Sequence, residues 1–343
     1  MSLRILLLPP GTPAIRGTVR MVRENPDECS VLVYSADADP SPFSLSLFDN
    51  YFKVPPLHDP AYIPAVLHLC QREGIDLILF HHDEETALYM AHQEAFEAIG
   101  TRLVASPHQA VKTATHKAHL YEALGREGIP LPRYELVTAE NCEEVAVALG
   151  YPDHDLIVKP PNCWGANGVY QLTARPLPWD QRLRLPMITL PQLKASLDRP
   201  VLMLEYLPGA EYSVDAFLGS QVAIALPRRR DRIVGGLAIQ TTLEDQPELA
   251  ELTLKAGRAL GLRYVYGMQF KCDSEGRPRL LECNPRIQGS SVASWGSGLN
   301  LIWLAVREAL GEPPADLPRP LHGATYARHW GGVVTAGDRS WEV

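Results

Sequence analysis

The first hundred residues alternate between short apolar runs and stretches with helical spacing. Residues 5–8, 30–34, 75–80 and 102–105 read as buried strands, while residues 61–73 and 86–100 each read as one helix. Strand and helix in alternation build a parallel sheet with helices on its faces, because each crossover must return the chain to the same end of the sheet. Such sheets take ligands at the carboxyl ends of their strands. Gly11, Asp37, Asp39 and Asp83 lie at those ends. His81-His82 beside them is either a loop feature or part of a substrate pocket. Asp83-Glu84-Glu85 either holds a cationic substrate or favours the helix start, where acidic side chains suit the dipole. The turn after the first strand, Pro9-Pro10-Gly11-Thr12-Pro13-Ala14-Ile15-Arg16-Gly17, is not Gly-x-Gly-x-x-Gly, which speaks against a nicotinamide site.

At 343 residues the chain exceeds one ordinary domain and suits two or three modules. Its net charge of -8, with Arg228-Arg229-Arg230 as the densest basic cluster, argues against a nucleic-acid partner. No run approaches the roughly eighteen apolar residues of a membrane helix, and the apolar start is too short for a secretion signal. The six cysteines contain no Cys-x-x-Cys pair. The expectation is a cytoplasmic protein with reduced thiols, no structural zinc and no membrane.

From about residue 110 the pattern changes. Residues 112–125 read as one helix, followed by the breaker at 128–132. Strands are expected at 155–158, 201–206 and 212–217, another ending at 226–230, and helices at 191–197, 248–261 and 300–310. The tail after Gly311 shows no clear pattern.

Residues 265–272 and 278–284 flank an Asp-Ser-Glu-Gly turn and predict a hairpin. A four-residue loop at 274–277 would pair Asp273 with Pro278, and counting back sets Gln269 opposite Glu282. Glu282 and Asn284, two apart, share a face. The three side chains offer oxygen ligands, and magnesium at a nucleotide takes one or two carboxylates plus phosphate oxygens. Pro285 holds Asn284 extended, and Arg286 lies on the same face, within reach of a phosphoryl group. Cys283 points to the other side, into a core. The plain alternative is a solvated hairpin face.

Residues 281–291 (Leu-Glu-Cys-Asn-Pro-Arg-Ile-Gln-Gly-Ser-Ser), preceded by Met268-Gln269-Phe270, resemble the magnesium-binding signature of ATP-grasp enzymes. The likeness is nearest to the carbamoyl phosphate synthase large subunit and biotin carboxylase branch. It implies that Gln269, Glu282 and Asn284 bind magnesium, or manganese in its place, and that Arg286 lines the reacting phosphate. Thr115-His116-Lys117-Ala118 resembles the family's first lysine helix, which puts Lys117 on ATP phosphate. Leu156-Ile157-Val158-Lys159-Pro160 places Lys159, a point charge suited to phosphate, at a strand end. Residues 161–169 occupy the position of the family's glycine-rich flap, although only Gly165 and Gly168 are glycines and Trp164 is bulky. Residues 203–215 resemble the hinge between two nucleotide-gripping lobes. There the backbone of Glu205 and Leu207 would meet adenine, and Glu211 the ribose. Arg230 would face the phosphate or acyl phosphate, leaving Arg228 and Arg229 to solvent or salt bridges.

The resemblance covers about residues 110–312, with a weaker echo over 1–109. It implies an α/β N-terminal parallel-sheet domain preceding the ATP-grasp unit (1–109), a linker and first lobe with the flap (110–204), a second lobe with the metal site (205–312) and a tail (313–343). The nucleotide domain would be α+β. A single nucleotide-gripping unit and no biotin-attachment segment speak against the namesake reactions. The expected activity is ATP- and magnesium-dependent: a carboxylate is activated as an acyl phosphate and coupled to an amine, both small molecules. Alternatives are another acceptor, as in a carboxylase or thiol ligase, or a nucleotide-binding regulator without turnover. Related enzymes often pair as homodimers, which makes a second copy of the chain a further partner to test.

Overall fold

The structure, a computed structural model, describes residues 2–39, 46–162, 168–175, 185–329, 331, 333–336 and 339–342. Gly165 and most of the expected flap lie outside the described residues, while Gly168 lies inside them with a left-handed φ of 70°.

The N-terminal sheet runs in the order β3 (Asn50–Lys53), β2 (Val31–Asp37), β1 (Leu3–Leu8), β4 (Leu77–Phe80), β5 (Arg102–Val104). Every pairing is parallel. The continuous apolar run of β1 follows from cover on both faces. Ile5 and Leu7 enter a core with helix α1 (Ile15–Arg23), and Leu6 and Leu8 enter another with α2 (Tyr62–Glu73). The single helix expected over 86–100 is two, α3 (Asp83–Met90) and α4 (Gln93–Ala98). The chain leaves helical geometry at His92, whose φ is −117° and ψ 19°.

The helix expected over 112–125 is likewise divided into α5 (His108–Thr115) and α6 (Lys117–Arg126). His116 adopts an extended conformation between them, and its ring accepts from the His119 backbone N–H. Lys117 therefore begins a helix instead of lying inside one.

A second sheet has the order β6 (Tyr134–Val137), β10 (Val201–Glu205), β7 (Leu156–Lys159), β8 (Tyr170–Leu172), β9 (Met187–Ile188). Helices α7 (Cys142–Ala148) and α8 (Leu190–Ser196) share its core.

The third sheet is antiparallel, in the order β15 (Pro278–Asn284), β14 (Tyr264–Cys272), β11 (Glu211–Leu218), β12 (Ala223–Val234), β13 (Leu237–Leu243), β16 (Thr325–Ala327). Strand β12 is longer than the sequence suggested, so the three arginines lie within it and not at its end. The tail contributes β16 as the edge strand beside β13. A separate hairpin pairs β17 (Val333–Ala336) with β18 (Arg339–Glu342). One face of the third sheet packs with α6 and α9 (Pro247–Ala259). The other meets α10 (Leu301–Leu310), which shares a core with the N-terminal sheet.

The hairpin register needs one correction. Cys272, not Asp273, pairs with Pro278, so the loop is one residue longer at the strand end than expected. Asp273 caps the loop: its carboxylate accepts from the backbone N–H of Glu275 and Arg277, each at 3.0 Å. A bulge at Leu281 restores the count, and Gln269 still lies opposite Glu282, with Gly267 opposite Asn284.

Candidate active site

Three elements bring cations to Glu282. Lys117 opens α6, and its backbone N–H donates to the Pro161 carbonyl at 3.0 Å, tying the helix start to the loop after β7. Its Nζ lies 3.9 Å from Glu282 Oε2. Lys159 ends β7 and is buried. Arg230 points inward from β12, and its side chain is only 3% exposed. Burial opposes the charge on Glu282. The fields of Lys117, Lys159 and Arg230, with a hydrogen bond from the Asn284 amide at 3.4 Å, outweigh it and hold the carboxyl below its usual range. Burial in turn lowers Arg230 from its usual value, against the pull of Glu211 and Glu282.

The metal candidates fit an oxygen-liganded cation. Glu282 is an anion at neutral pH with a side chain 22% exposed, so an ion can reach it. Asn284 stands beside it, and Gln269 faces it across the ladder. The surplus positive charge suits a polyphosphate arriving with the cation.

Arg286 is held from two sides. Its guanidinium meets the Asp83 carboxylate, Nε to Oδ1 at 3.0 Å, and donates to Asn284 Oδ1 at 3.0 Å. Asp83 comes from the first turn of α3, so it joins the N-terminal sheet to the hairpin. Behind it His81 is buried and hydrogen-bonded with the Thr18 hydroxyl at 2.9 Å. Burial, with Arg286 nearby, pushes its imidazole down to about 3. His81 is therefore a neutral buried group.

At the proposed adenine end, Glu205 closes β10. Its carboxylate accepts from Arg133 Nε and backbone N–H, each at 2.9 Å, and its own N–H donates to the Arg133 carbonyl at 3.0 Å. Leu207 is buried. Glu211 opens β11 opposite Lys271, within 3.4 Å of Lys271 Nζ and 3.3 Å of Arg230 Nη1.

Of the arginines assigned to solvent or salt bridges, Arg229 is half exposed and pairs with Asp231 at 2.7 Å and Glu244 at 2.9 Å. Arg228 is fully buried and forks onto Asp215 at 2.6 and 3.2 Å. Asp215 also accepts from Gln288 at 3.2 Å and Ser291 at 2.9 Å, and from Ser294. This network clamps the segment after Arg286 to β11 and β12. Sequence reasoning missed Asp215, although one carboxylate inside the apolar run Val214-Asp215-Ala216-Phe217-Leu218 was a signal. Tyr121 was missed as well. It is buried on α6, and its hydroxyl accepts from Lys159 Nζ at 3.1 Å.

Residues 198–329 match the family described as ATP-grasp in the biosynthetic pathway with Ter operon, and residues 14–104 match the PylC-like N-terminal domain. Among curated proteins, carnosine synthase 1 of Gallus gallus is 33% identical over 150 residues, 37% of this chain and 16% of that protein. The carbamoyl phosphate synthase large chain of Rubrobacter xylanophilus is 25% identical over 283 residues, 78% of this chain and 26% of that protein. The chain thus spans about a quarter or less of these relatives. Among solved structures, a biotin carboxylase complex from Campylobacter jejuni superposes with a TM-score of 0.69 at 18% identity, covering 92% of this chain and 72% of that one. An ADP complex of N5-carboxyaminoimidazole synthetase from Staphylococcus aureus does so at 0.69 and 13% identity, covering 93% and 80%. Both share the fold. The chain thus carries a segment matching an ATP-grasp family over residues 198–329 after a segment matching the PylC-like N-terminal domain over residues 14–104.

Proposed function

We propose that the chain is an ATP- and magnesium-dependent ligase that activates a carboxylate as an acyl phosphate and couples it to an amine, releasing ADP and phosphate. The observation that carries this reading is the convergence of Lys117, Lys159 and Arg230 on the single carboxylate of Glu282. Phosphoryl transfer asks a protein chiefly for positioning and charge neutralisation. Fixed cations in a partly buried site provide both, because they need little reorganisation when charge moves. Gln269, Glu282 and Asn284 would hold magnesium, which would supply neutralisation of phosphate charge when bound. Lys117 and Lys159 would hold the phosphates, and Arg230 the charge that develops on transfer. The backbone of Glu205 and Leu207 would take the adenine edge, Glu211 the ribose, and Gly165 and Gly168 would belong to a flap excluding water. Arg286 would exchange part of its contact with Asp83 for the acyl phosphate. Of the alternative acceptors, an amine is preferred because the carbamoyl phosphate synthase and carnosine synthase relatives carry names of carbon–nitrogen ligases.

The test is ADP release with ATP, magnesium and a panel of carboxylates and amines, with products read by mass spectrometry. ADP release requiring one pairing, and loss of at least a hundredfold in Glu282→Ala without loss of fold, is the expected result. Near-native turnover in Glu282→Ala would reject the metal assignment, and no stimulated ADP release under any pairing would reject the ligase.

A further inference from the structure

The bulge in β15 does more than restore register. Leu281 is the residue the ladder skips, between the pairs Gln269–Glu282 and Phe270–Leu280. Its carbonyl accepts from the Tyr121 hydroxyl at 2.8 Å and from Lys159 Nζ at 3.3 Å. The Tyr121 oxygen accepts in turn from Lys159 Nζ at 3.1 Å. Three elements, α6, β7 and β15, thus close a triangle of hydrogen bonds around one ammonium. The Tyr121 ring adds to it. It lies 5.5 Å from the same Nζ and packs at an angle against Tyr134, with centroids 4.8 Å apart. Tyr121 itself is fully buried.

A lysine ammonium sits on a flexible four-carbon stem, and ordering it costs rotamer entropy. A buried ammonium also loses hydration that hydrogen bonds must replace. Two oxygens at fixed positions meet both demands before any ligand arrives, and such preorganisation raises affinity by lowering the cost of binding. We infer that Tyr121 is a positioning residue: with the Leu281 carbonyl it holds the Lys159 ammonium where it meets the nucleotide phosphates. Tyr121 does this without touching the nucleotide. One inserted residue then serves two ends, since Leu281 presents a carbonyl to Lys159 and returns Glu282 and Asn284 to the face of Gln269. The inference rests on the phosphate role proposed for Lys159.

The experiment measures the dissociation constant of the magnesium complex of AMP-PNP, a non-hydrolysable ATP analogue, by calorimetry on the full chain. Wild type, Tyr121→Phe, Lys159→Met and the double variant are compared, each with its melting temperature. Phenylalanine keeps the ring and its packing and removes only the hydroxyl. Tyr121→Phe should weaken binding about tenfold, the scale of a hydrogen bond to a charged group, with little change in melting temperature. In the Lys159→Met background the same change should have no further effect, because Tyr121 acts through Lys159. An unchanged constant in Tyr121→Phe overturns the inference. So does an equal loss in both backgrounds, or a fall in melting temperature with that loss, since either marks a packing role. If wild type fails to bind the analogue, the nucleotide reading itself falls, a result distinct from the other two.

Discussion

Glu85 shows how strongly position alone can alter one side chain. It lies in the first turn of α3 and is 6% exposed. Burial, joined by the charges of Asp37 and Glu84, pushes its carboxyl up to about 7, although Tyr62 donates to it at 2.8 Å. The usual value is 4.5, so between these two values the folded chain keeps a proton that the unfolded chain releases. Stability from this group is full below about pH 4.5 and is lost as pH rises through about 7, amounting to about 3 kcal/mol. Glu85→Gln should remove that loss. Urea unfolding of wild type and variant at pH 5 and pH 8 should show the variant gaining relative stability at the higher pH, and a pH-independent difference would contradict it. His81 acts in the opposite sense. Its imidazole is held down near 3 against a usual 6.5, so its contribution is full above pH 6.5 and fades as pH falls. The comparison of wild type with Glu85→Gln cancels that slope. The sequence placed Asp83, Glu84 and Glu85 at a helix start with two readings open. It could not show that Asp83 would pair with an arginine two hundred residues away while Glu85 turned inward.

At the scale of elements, the hairpin of β14 and β15 depends on a glycine. A Cβ on Gly267 would lie 1.5 Å from Gln288 Nε2. Gln288 crosses over that glycine to donate to the Val214 carbonyl and the Asp215 carboxylate, both at 3.2 Å. Gly267 also pairs with Asn284. Gly267→Ala should therefore displace Gln288, strip one donor from the buried Asp215 and shift Asn284. The expected cost is about 1–3 kcal/mol in unfolding free energy, with weaker magnesium dependence of turnover. A variant as stable and as active as wild type would show that the crossing contact carries no weight. Much of this hairpin was legible: β15 spans the expected residues, and Gln269 faces Glu282. The bulge was not: the groups that meet its carbonyl, Tyr121 and Lys159, lie more than a hundred residues away in sequence. The break at His116 was hidden for a related reason. Helical spacing runs on through residues 112–125, and the His116 cap with the docking of Lys117 against Pro161 marks where one helix ends and the next begins.

Across the whole molecule, the N-terminal sheet and the third sheet meet at the hairpin's end. Asp83 pairs with Arg286, the Phe80 carbonyl accepts from the Ile287 N–H at 3.4 Å, and Arg328 bridges the Pro13 and Gly289 carbonyls. A change in the first domain should thus be felt in the chemistry of the second. Asp83→Asn should lower kcat about tenfold, the scale of one charge-assisted contact, and leave the affinity for the ATP analogue unchanged, because Arg286 is assigned to the acyl phosphate and not to ATP. Equal loss in both quantities would place Arg286 in nucleotide binding instead. The account as a whole stands on a divalent cation held by Gln269, Glu282 and Asn284 beside a triphosphate. Electron paramagnetic resonance of manganese tests this most directly, since the ion substitutes for magnesium and its free signal disappears on binding. Wild type with AMP-PNP should take up manganese, and the Glu282→Ala/Asn284→Ala variant, folded by its melting curve, should not. Equal uptake by both proteins would contradict the account.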